Sequence, residues 1–143
     1  MIYVAGDHLA TDTLKQVLAY CQKNDIVIKN IGAKDASVVT PLQQIIPAVA
    51  DNVKQDQGSS GILICGTGTG VEIGANRFHG IRAALCRDAQ QAEYARVYDN
   101  ANVLCLGAWF KNDLTAILDA WLAHSFDGDK NRSQMIKDFD TWQ

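Results

Sequence analysis

Gly61-Ile62-Leu63-Ile64-Cys65-Gly66-Thr67-Gly68-Thr69-Gly70 decides the architecture of this chain. Its first half is a short apolar run with no polar face, as expected of a strand covered on both sides. Its second half alternates glycine with threonine and leads into a helical segment, Val71–Asn76. A strand that turns through glycines into a helix is the building unit of a parallel sheet. Working outward, strand-length apolar runs recur at Ile2–Ala5, Ile26–Ile31, Ile81–Leu85 and Val103–Leu106, most of them apolar on both faces. Helical periods lie between them. Leu14, Val17, Leu18 and Cys21 fall at i, i+3, i+4 and i+7, and Leu114, Ile117, Leu118, Trp121 and Leu122 repeat the pattern. Pro41–Gln55 and Asp88–Val97 fill the other gaps and Asp129–Thr141 closes the chain, with Asp88 and Asp129 as helix N-caps. This alternation predicts the α/β class: a three-layer α/β/α sandwich around a five-stranded parallel sheet, with right-handed crossovers.

The chain has 143 residues, the length of one domain, 1–143. Hydrophobic residues make up 48% and charged residues 20%, enough apolar surface to offset the entropy of ordering. A net charge of −3 gives no whole-chain attraction to nucleic acid or anionic lipid, so neither is expected as a partner. Apolar runs stop well short of the roughly 20 residues that span a bilayer. The opening residues have neither the basic region nor the apolar stretch of a secretory signal. Cys21, Cys65, Cys86 and Cys105 form no CxxC pair and no zinc-like spacing, so free thiols in a reducing, cytoplasmic setting are expected. No internal repeat, low-complexity tract or linker interrupts the series, and Asn131-Arg132-Ser133 matches the glycosylation sequon by chance.

Polar residues gather after two strands. Open α/β sheets bind ligands beyond the carboxyl ends of their strands, where chain order reverses. The first strand ends in Gly6-Asp7-His8 and the third in the glycine loop. If these strands are neighbours, Asp7, His8, Cys65 and Thr67 meet in one crevice. A tight turn alone needs one glycine, or two; three, alternating with threonines, favour a ligand approaching the backbone. The loop lacks the Gly-Lys-Ser/Thr of a P-loop, and Val71 stands where the dinucleotide fingerprint needs glycine. Cys65 is either a small buried hydrophobe or a reactive thiol beside a helix N-terminus, where thiols ionise more readily than usual. Cys21, Cys86 and Cys105 read as packing residues. His79 and His124 read as solvent-facing, which leaves His8 as the candidate histidine.

The run Gly61–Gly70, with Ala75-Asn76 and Gly80-Ile81-Arg82-Ala83-Ala84-Leu85-Cys86 after it, resembles ribose-5-phosphate isomerase B. Asp7-His8 is similar to that family's first-strand motif, and Asn100-Ala101-Asn102-Val103-Leu104-Cys105-Leu106-Gly107 to its fifth-strand signature. The wider family includes the galactose-6-phosphate isomerase subunits. The resemblance is collinear over nearly the whole chain. It implies a Rossmann-like sheet and an aldose–ketose isomerisation of a sugar phosphate, with no metal and no cofactor. It also implies a dimer or dimer of dimers whose partner subunit completes each site. On this pattern Cys65 is the base that moves a proton between C1 and C2. Thr67 and the amides of Gly66, Gly68, Thr69 and Gly70 stabilise the ene-diolate, and Asp7 and His8 hold hydroxyls or phosphate. These roles suit the chemistry, which needs a positioned base and preorganised donors for the oxyanion.

The departures from the family pattern concern the grip on substrate. The family's ring-opening histidine falls at Tyr98, and the Asn after it becomes Asp99. A basic residue that the family contributes across the subunit interface toward phosphate falls at Trp109, and two arginines of the last helix fall at Lys130 and Gln134. Arg132 could replace one of them, and the family's Tyr-Pro reads Thr40-Pro41. A lost Arg removes a bidentate phosphate contact that Lys cannot reproduce. Tyr98 suits a substrate that is already open-chain, such as a four-carbon sugar phosphate, or a hexose-type substrate with another opener. A glutamate that some members use as the base falls at Val71. Glu72, about 100° further round the helix, is expected to be solvated and to face elsewhere. Three other readings stand beside the isomerase: one subunit of a hetero-oligomer, a phosphosugar-binding protein without turnover, and, more distantly, a nucleotide-binding domain.

Overall fold

The computed structural model describes residues 1–142. Five strands, β1 (Ile2–Gly6), β2 (Ile28–Asn30), β3 (Ser60–Cys65), β4 (Ala83–Leu85) and β5 (Val103–Gly107), alternate with five helices. These are α1 (Thr11–Lys23), α2 (Leu42–Gln55), α3 (Thr69–Ala75), α4 (Ala89–Val97) and α5 (Leu114–Ala123), and α6 (Lys130–Phe139) follows. The strands pair in parallel in the order β2-β1-β3-β5-β4. The three-layer sandwich expected from the alternation is the architecture that forms.

The two faces of the sheet follow from the period of two along each strand. Val4, Ile62, Ile64, Leu104 and Leu106 pack on one side with Leu14 and Val17 of α1, Ala92 and Ala95 of α4, and Ile117, Leu118 and Trp121 of α5. Ala5, Leu63, Cys65, Val103 and Cys105 pack on the other with Ile45, Val49 and Val53 of α2 and Val71 and Ala75 of α3. Burying each large apolar side chain stabilises the fold by about 1.5–3 kcal/mol. Asp88 and Asp129 are N-caps, their carboxylates accepting from Gln91 N–H at 2.8 Å and from the N–H groups of Asn131 and Arg132 at 3.0 Å.

Two strands are shorter than their apolar runs. Ile26–Ile31 contracts to Ile28–Asn30, with Val27 66% exposed, and Ile81–Leu85 contracts to Ala83–Leu85. Both are edge strands, paired on one side only, so their length is limited by the neighbour's register rather than by their own hydrophobicity. The buried-on-both-faces reading holds for β1, β3 and β5, whose residues are almost all buried. Among the described residues, no helix is long and apolar enough to cross a membrane.

Candidate active site

β1 and β3 lie side by side, from Ile2↔Ser60 to Gly6↔Ile64, and β3 pairs with β5 through Cys65↔Gly107. The chain leaves β1 for β2 on one flank and returns to β3 on the other, so their carboxyl ends bound the crevice where such sheets take ligands. The Asp7 N–H donates to Ile64 O at 3.1 Å, extending the ladder one residue beyond the strand. The Asp7 carboxylate accepts from Leu9 N–H at 3.0 Å and its carbonyl from Ala10 N–H at 3.1 Å, which turns the chain into α1. Asp7 is buried, whereas a loop aspartate is ordinarily solvated. Beside it, Nδ1 of His8 is buried with no hydrogen-bond partner among the described residues. Buried polar atoms are rarely left so, and an unmade bond there costs about 1–3 kcal/mol.

At the end of β3 the Gly68 N–H points at Cys65 Sγ, 3.2 Å away. Gly68 has φ +78° and is the N-cap of α3, so the chain reverses within three residues and aims its amide back at the sulfur. A Cβ at position 68 would stand 2.5 Å from Leu85 Cδ1 and 2.9 Å from Gly107 N. The turn therefore needs glycine for both conformation and space. Beyond the strand ends, Cys65 O accepts from Ala108 N–H and Gly66 O from Trp109 N–H, both at 2.9 Å. Thr67 is exposed at the crest of the loop, where its Oγ1 accepts from Thr69 N–H at 3.3 Å.

The other three thiols lie in the core. Burial raises the Cys21 thiol, pushes Cys86 up to about 12, and holds Cys105 well above the ordinary thiol range. They stay protonated at neutral pH, as packing residues should. Cys65 alone combines a strand end, a backbone donor on its sulfur and neighbours that can hold hydroxyls.

The remaining sequence candidates lie elsewhere. In a parallel sheet, α4 starts beyond the carboxyl end of β4 and returns to the amino end of β5. Tyr98, which ends α4, and Asp99 are therefore at the opposite edge of the sheet from Cys65. Arg82, before β4, donates from Nε to Asn100 O at 2.7 Å, and Asn102 joins Gly80 O and Arg82 N–H at 2.8 Å each, fixing that bend. The Arg132 guanidinium stacks 4.9 Å from the Tyr98 ring centroid and is ion-paired with Asp127, whose carboxyl the hydrogen bond from Arg132 holds below the usual range. Lys130 and Gln134 share α6 with Arg132, and Gln134 Nε2 donates to Asp138 at 2.9 Å. Thus Asp7, His8 and Cys65–Gly70 form one group, while Tyr98, Asp99, Lys130, Arg132 and Gln134 form a second. A five-residue strand, about 17 Å long, separates them.

Two expectations need correction. Glu72 is not a solvated helix residue: its Oε1 accepts from Leu85 N–H at 2.9 Å. Leu85 is on an edge strand and has no outer strand to bond, so the carboxylate takes that place. His124 is half-buried, its Nδ1 2.8 Å from Ala120 O and its Nε2 3.8 Å from Glu93 Oε1. Sequence reading also missed a cavity of about 240 Å³ beside Gly107, lined by Thr13, Gln16, Lys111 and Asn112. Its lining comes from α1 and the loop after β5, so no contiguous motif announces it.

Chemically, the first group offers a sulfur able to take a proton, amides and a hydroxyl able to meet a developing oxyanion, and a carboxylate and an imidazole for hydroxyl groups. Comparison with known proteins gives the family. The Ribose/Galactose Isomerase family model matches residues 2–137. The probable ribose-5-phosphate isomerase B of Mycoplasma pneumoniae is 32% identical over 138 residues, covering 95% of this chain and 91% of that one. The galactose-6-phosphate isomerase subunit LacB of Clostridium acetobutylicum is 31% identical over 142 residues, covering 98% and 82%. Among solved structures, a ribose 5-phosphate isomerase of Thermotoga maritima superposes with a TM-score of 0.92 at 31% identity, covering 99% of this chain and 97% of that one. The alternating strands, the loop after β3 and these matches lead to one conclusion: the chain belongs to the ribose/galactose isomerase family.

Proposed function

We propose that this chain is a metal-independent aldose–ketose isomerase acting on a sugar phosphate of the ribose 5-phosphate type. The observation that carries this reading is the Cys65 sulfur held by the Gly68 N–H at the carboxyl end of β3, beside Asp7 and His8. Cys65, as thiolate, takes the proton from C2 of the open-chain aldose. The C2–H electron pair becomes the C1–C2 double bond of an ene-diolate, whose oxyanion the loop amides and Thr67 stabilise. Returning the proton to C1, with proton exchange between the two oxygens, gives the ketose. No electron leaves the substrate, so the reaction needs no external oxidant or reductant.

The same reading assigns Tyr98, Asp99, Lys130, Arg132 and Gln134 to the site of a second copy. They lie a sheet's length from their own Cys65, so only another subunit can bring them to a substrate held there. This supports a homodimer, or a dimer of dimers, with shared sites. Cys65→Ala and Tyr98→Ala chains, each nearly inactive alone, are expected to regain activity when unfolded and refolded together. Random pairing restores about a quarter of the sites. Failure of the mixture to exceed either parent would remove the shared site.

The test of the activity is a coupled assay on the purified chain with ribose 5-phosphate, allose 6-phosphate, galactose 6-phosphate and tetrose 4-phosphates. Turnover of one of them by the chain alone is the expected result. Turnover only after adding a second, different subunit would favour the hetero-oligomer that the name of the Clostridium relative suggests. Binding without turnover or solvent-deuterium exchange would leave a phosphosugar-binding protein.

A further inference from the structure

The indole of Trp109 rests on the backbone of Gly66. A Cβ at position 66 would meet Cζ2 at 2.5 Å and Cδ2 at 2.8 Å, so ring and peptide are in direct contact. The N–H of Trp109 donates to Gly66 O and that of Ala108 to Cys65 O, each at 2.9 Å. These bonds lock the residue carrying the ring to the strand end carrying the thiol. Yet Trp109 is 65% exposed. A tryptophan gains its stability by burial, and Trp121, at 1%, does so in the core. Trp142 is also exposed, but it packs against Phe139 in a tilted pair, with ring centroids 5.0 Å apart, at the far end of the chain. Trp109 is thus an aromatic side chain anchored on the residue that follows Cys65 and largely open to solvent, rather than one that fills the core.

We propose that Trp109 is a specificity-determining residue whose open indole face is a wall of the Cys65 cleft, against which the C–H face of the sugar's carbon chain packs. This inference rests on the isomerase reading of the same site. Carbons bearing hydroxyls have polarised C–H bonds, and the negative face of an aromatic ring attracts such positive edges. The indole carries no charge, so it gives a phosphate dianion nothing comparable to a guanidinium. The carbon chain therefore crosses Trp109, and the phosphate is held away from it. Cys65 and Gly107 are paired across neighbouring strands about 4.8 Å apart, and Trp109 is two residues beyond Gly107. A sugar with its reacting carbons at the sulfur comes within reach of the ring. The glycine at 66 is part of the same device, since any side chain there would lift the indole off the loop.

The test uses 5-phospho-D-ribonate, an aldonate that cannot isomerise, and inorganic phosphate. Both are titrated by tryptophan emission and by calorimetry into the wild type, Cys65→Ala, Trp109→Phe and Trp109→Ala. The aldonate is expected to change the emission of the wild type and of Cys65→Ala, and this change is lost in Trp109→Phe. Trp109→Ala raises the Kd for the aldonate and the KM for the substrate about tenfold with kcat within about threefold, and Trp109→Phe recovers most of that loss. The affinity for inorganic phosphate stays the same in all four proteins. Kd and KM unchanged in Trp109→Ala, or an emission change that persists in Trp109→Phe, would overturn the proposal. Binding that depends on Trp109 without turnover of any sugar phosphate would sink the isomerase reading and leave the wall. Turnover indifferent to Trp109→Ala would sink the wall and leave the isomerase. Neither binding nor turnover would overturn both.

Discussion

Cys65→Ala is expected to lower turnover by about 10²–10⁴-fold while the protein stays folded. The substitution removes one sulfur from a site at the end of β3 and leaves the backbone unchanged. The Gly68 N–H loses its acceptor, but the loop keeps its bonds from Ala108 and Trp109. On the proposed mechanism, what disappears is the base that takes the carbon-bound proton and gives it back. Asp7 accepts from the Leu9 amide, and the proposed reading gives Asp7 and His8 to the substrate's hydroxyls. Cys65→Ser should fail nearly as badly, because a hydroxyl can accept the same amide bond yet is far too weak an acid to serve as a base. Cys86→Ala and Cys105→Ala act only on packing, so their kcat should stay within about threefold of the wild type. The measurements are coupled turnover, solvent-deuterium incorporation at the substrate carbon, and a thermal melt for each variant. A Cys65→Ala protein that still exchanges the proton at the wild-type rate would move the base to another residue.

The sequence carried the architecture because its strongest signals are local. Gly61–Cys65 and Val103–Leu106 are buried on both faces, and short apolar runs of strand length between helical periods read as covered parallel strands. Edge strands were less legible: Ile26–Ile31 opens as apolar as a central strand before Lys29 and Asn30 interrupt it, and only the sheet order reveals that it has one neighbour. The first half of the site was equally legible. Asp7, His8 and the loop after Cys65 sit at strand ends, and the adjacency of β1 and β3 joins them. Glu72 was misread because its partner, the Leu85 amide, is a property of an unpaired sheet edge rather than of helix periodicity. Trp109 was visible as a departure from a family pattern, but its seat on Gly66 depends on two loops meeting after β3 and β5. Tyr98 and Arg132 form a stacked pair at the opposite edge, an arrangement that residue types alone do not reveal.

Gly68→Ala is the variant expected to damage stability and catalysis together. At φ +78° an L-residue bears a left-handed penalty of about 1–2 kcal/mol. The new methyl would also stand 2.9 Å from the backbone nitrogen of Gly107, which cannot swing aside as a side chain could. Overpacking of this kind costs about 1–3 kcal/mol more. The sum, about 2–5 kcal/mol, would lower the melting temperature by roughly 5–15 °C. The collision can be relieved only by moving the loop off β5, and that carries the Gly68 N–H away from Cys65 Sγ. A displacement of about 1 Å at a reacting group lowers the rate by about 10²-fold. Gly58→Ala separates the two causes. Its φ is +82°, but a Cβ there meets nothing within 4 Å, so it bears the conformational penalty without the collision. It should lose about 1 kcal/mol and keep its kcat. If Gly68→Ala melts like Gly58→Ala and turns over at the wild-type rate, the aimed amide contributes nothing to the base. If it loses turnover far beyond its loss of stability, the αL turn after Cys65 is what orients the sulfur for proton transfer.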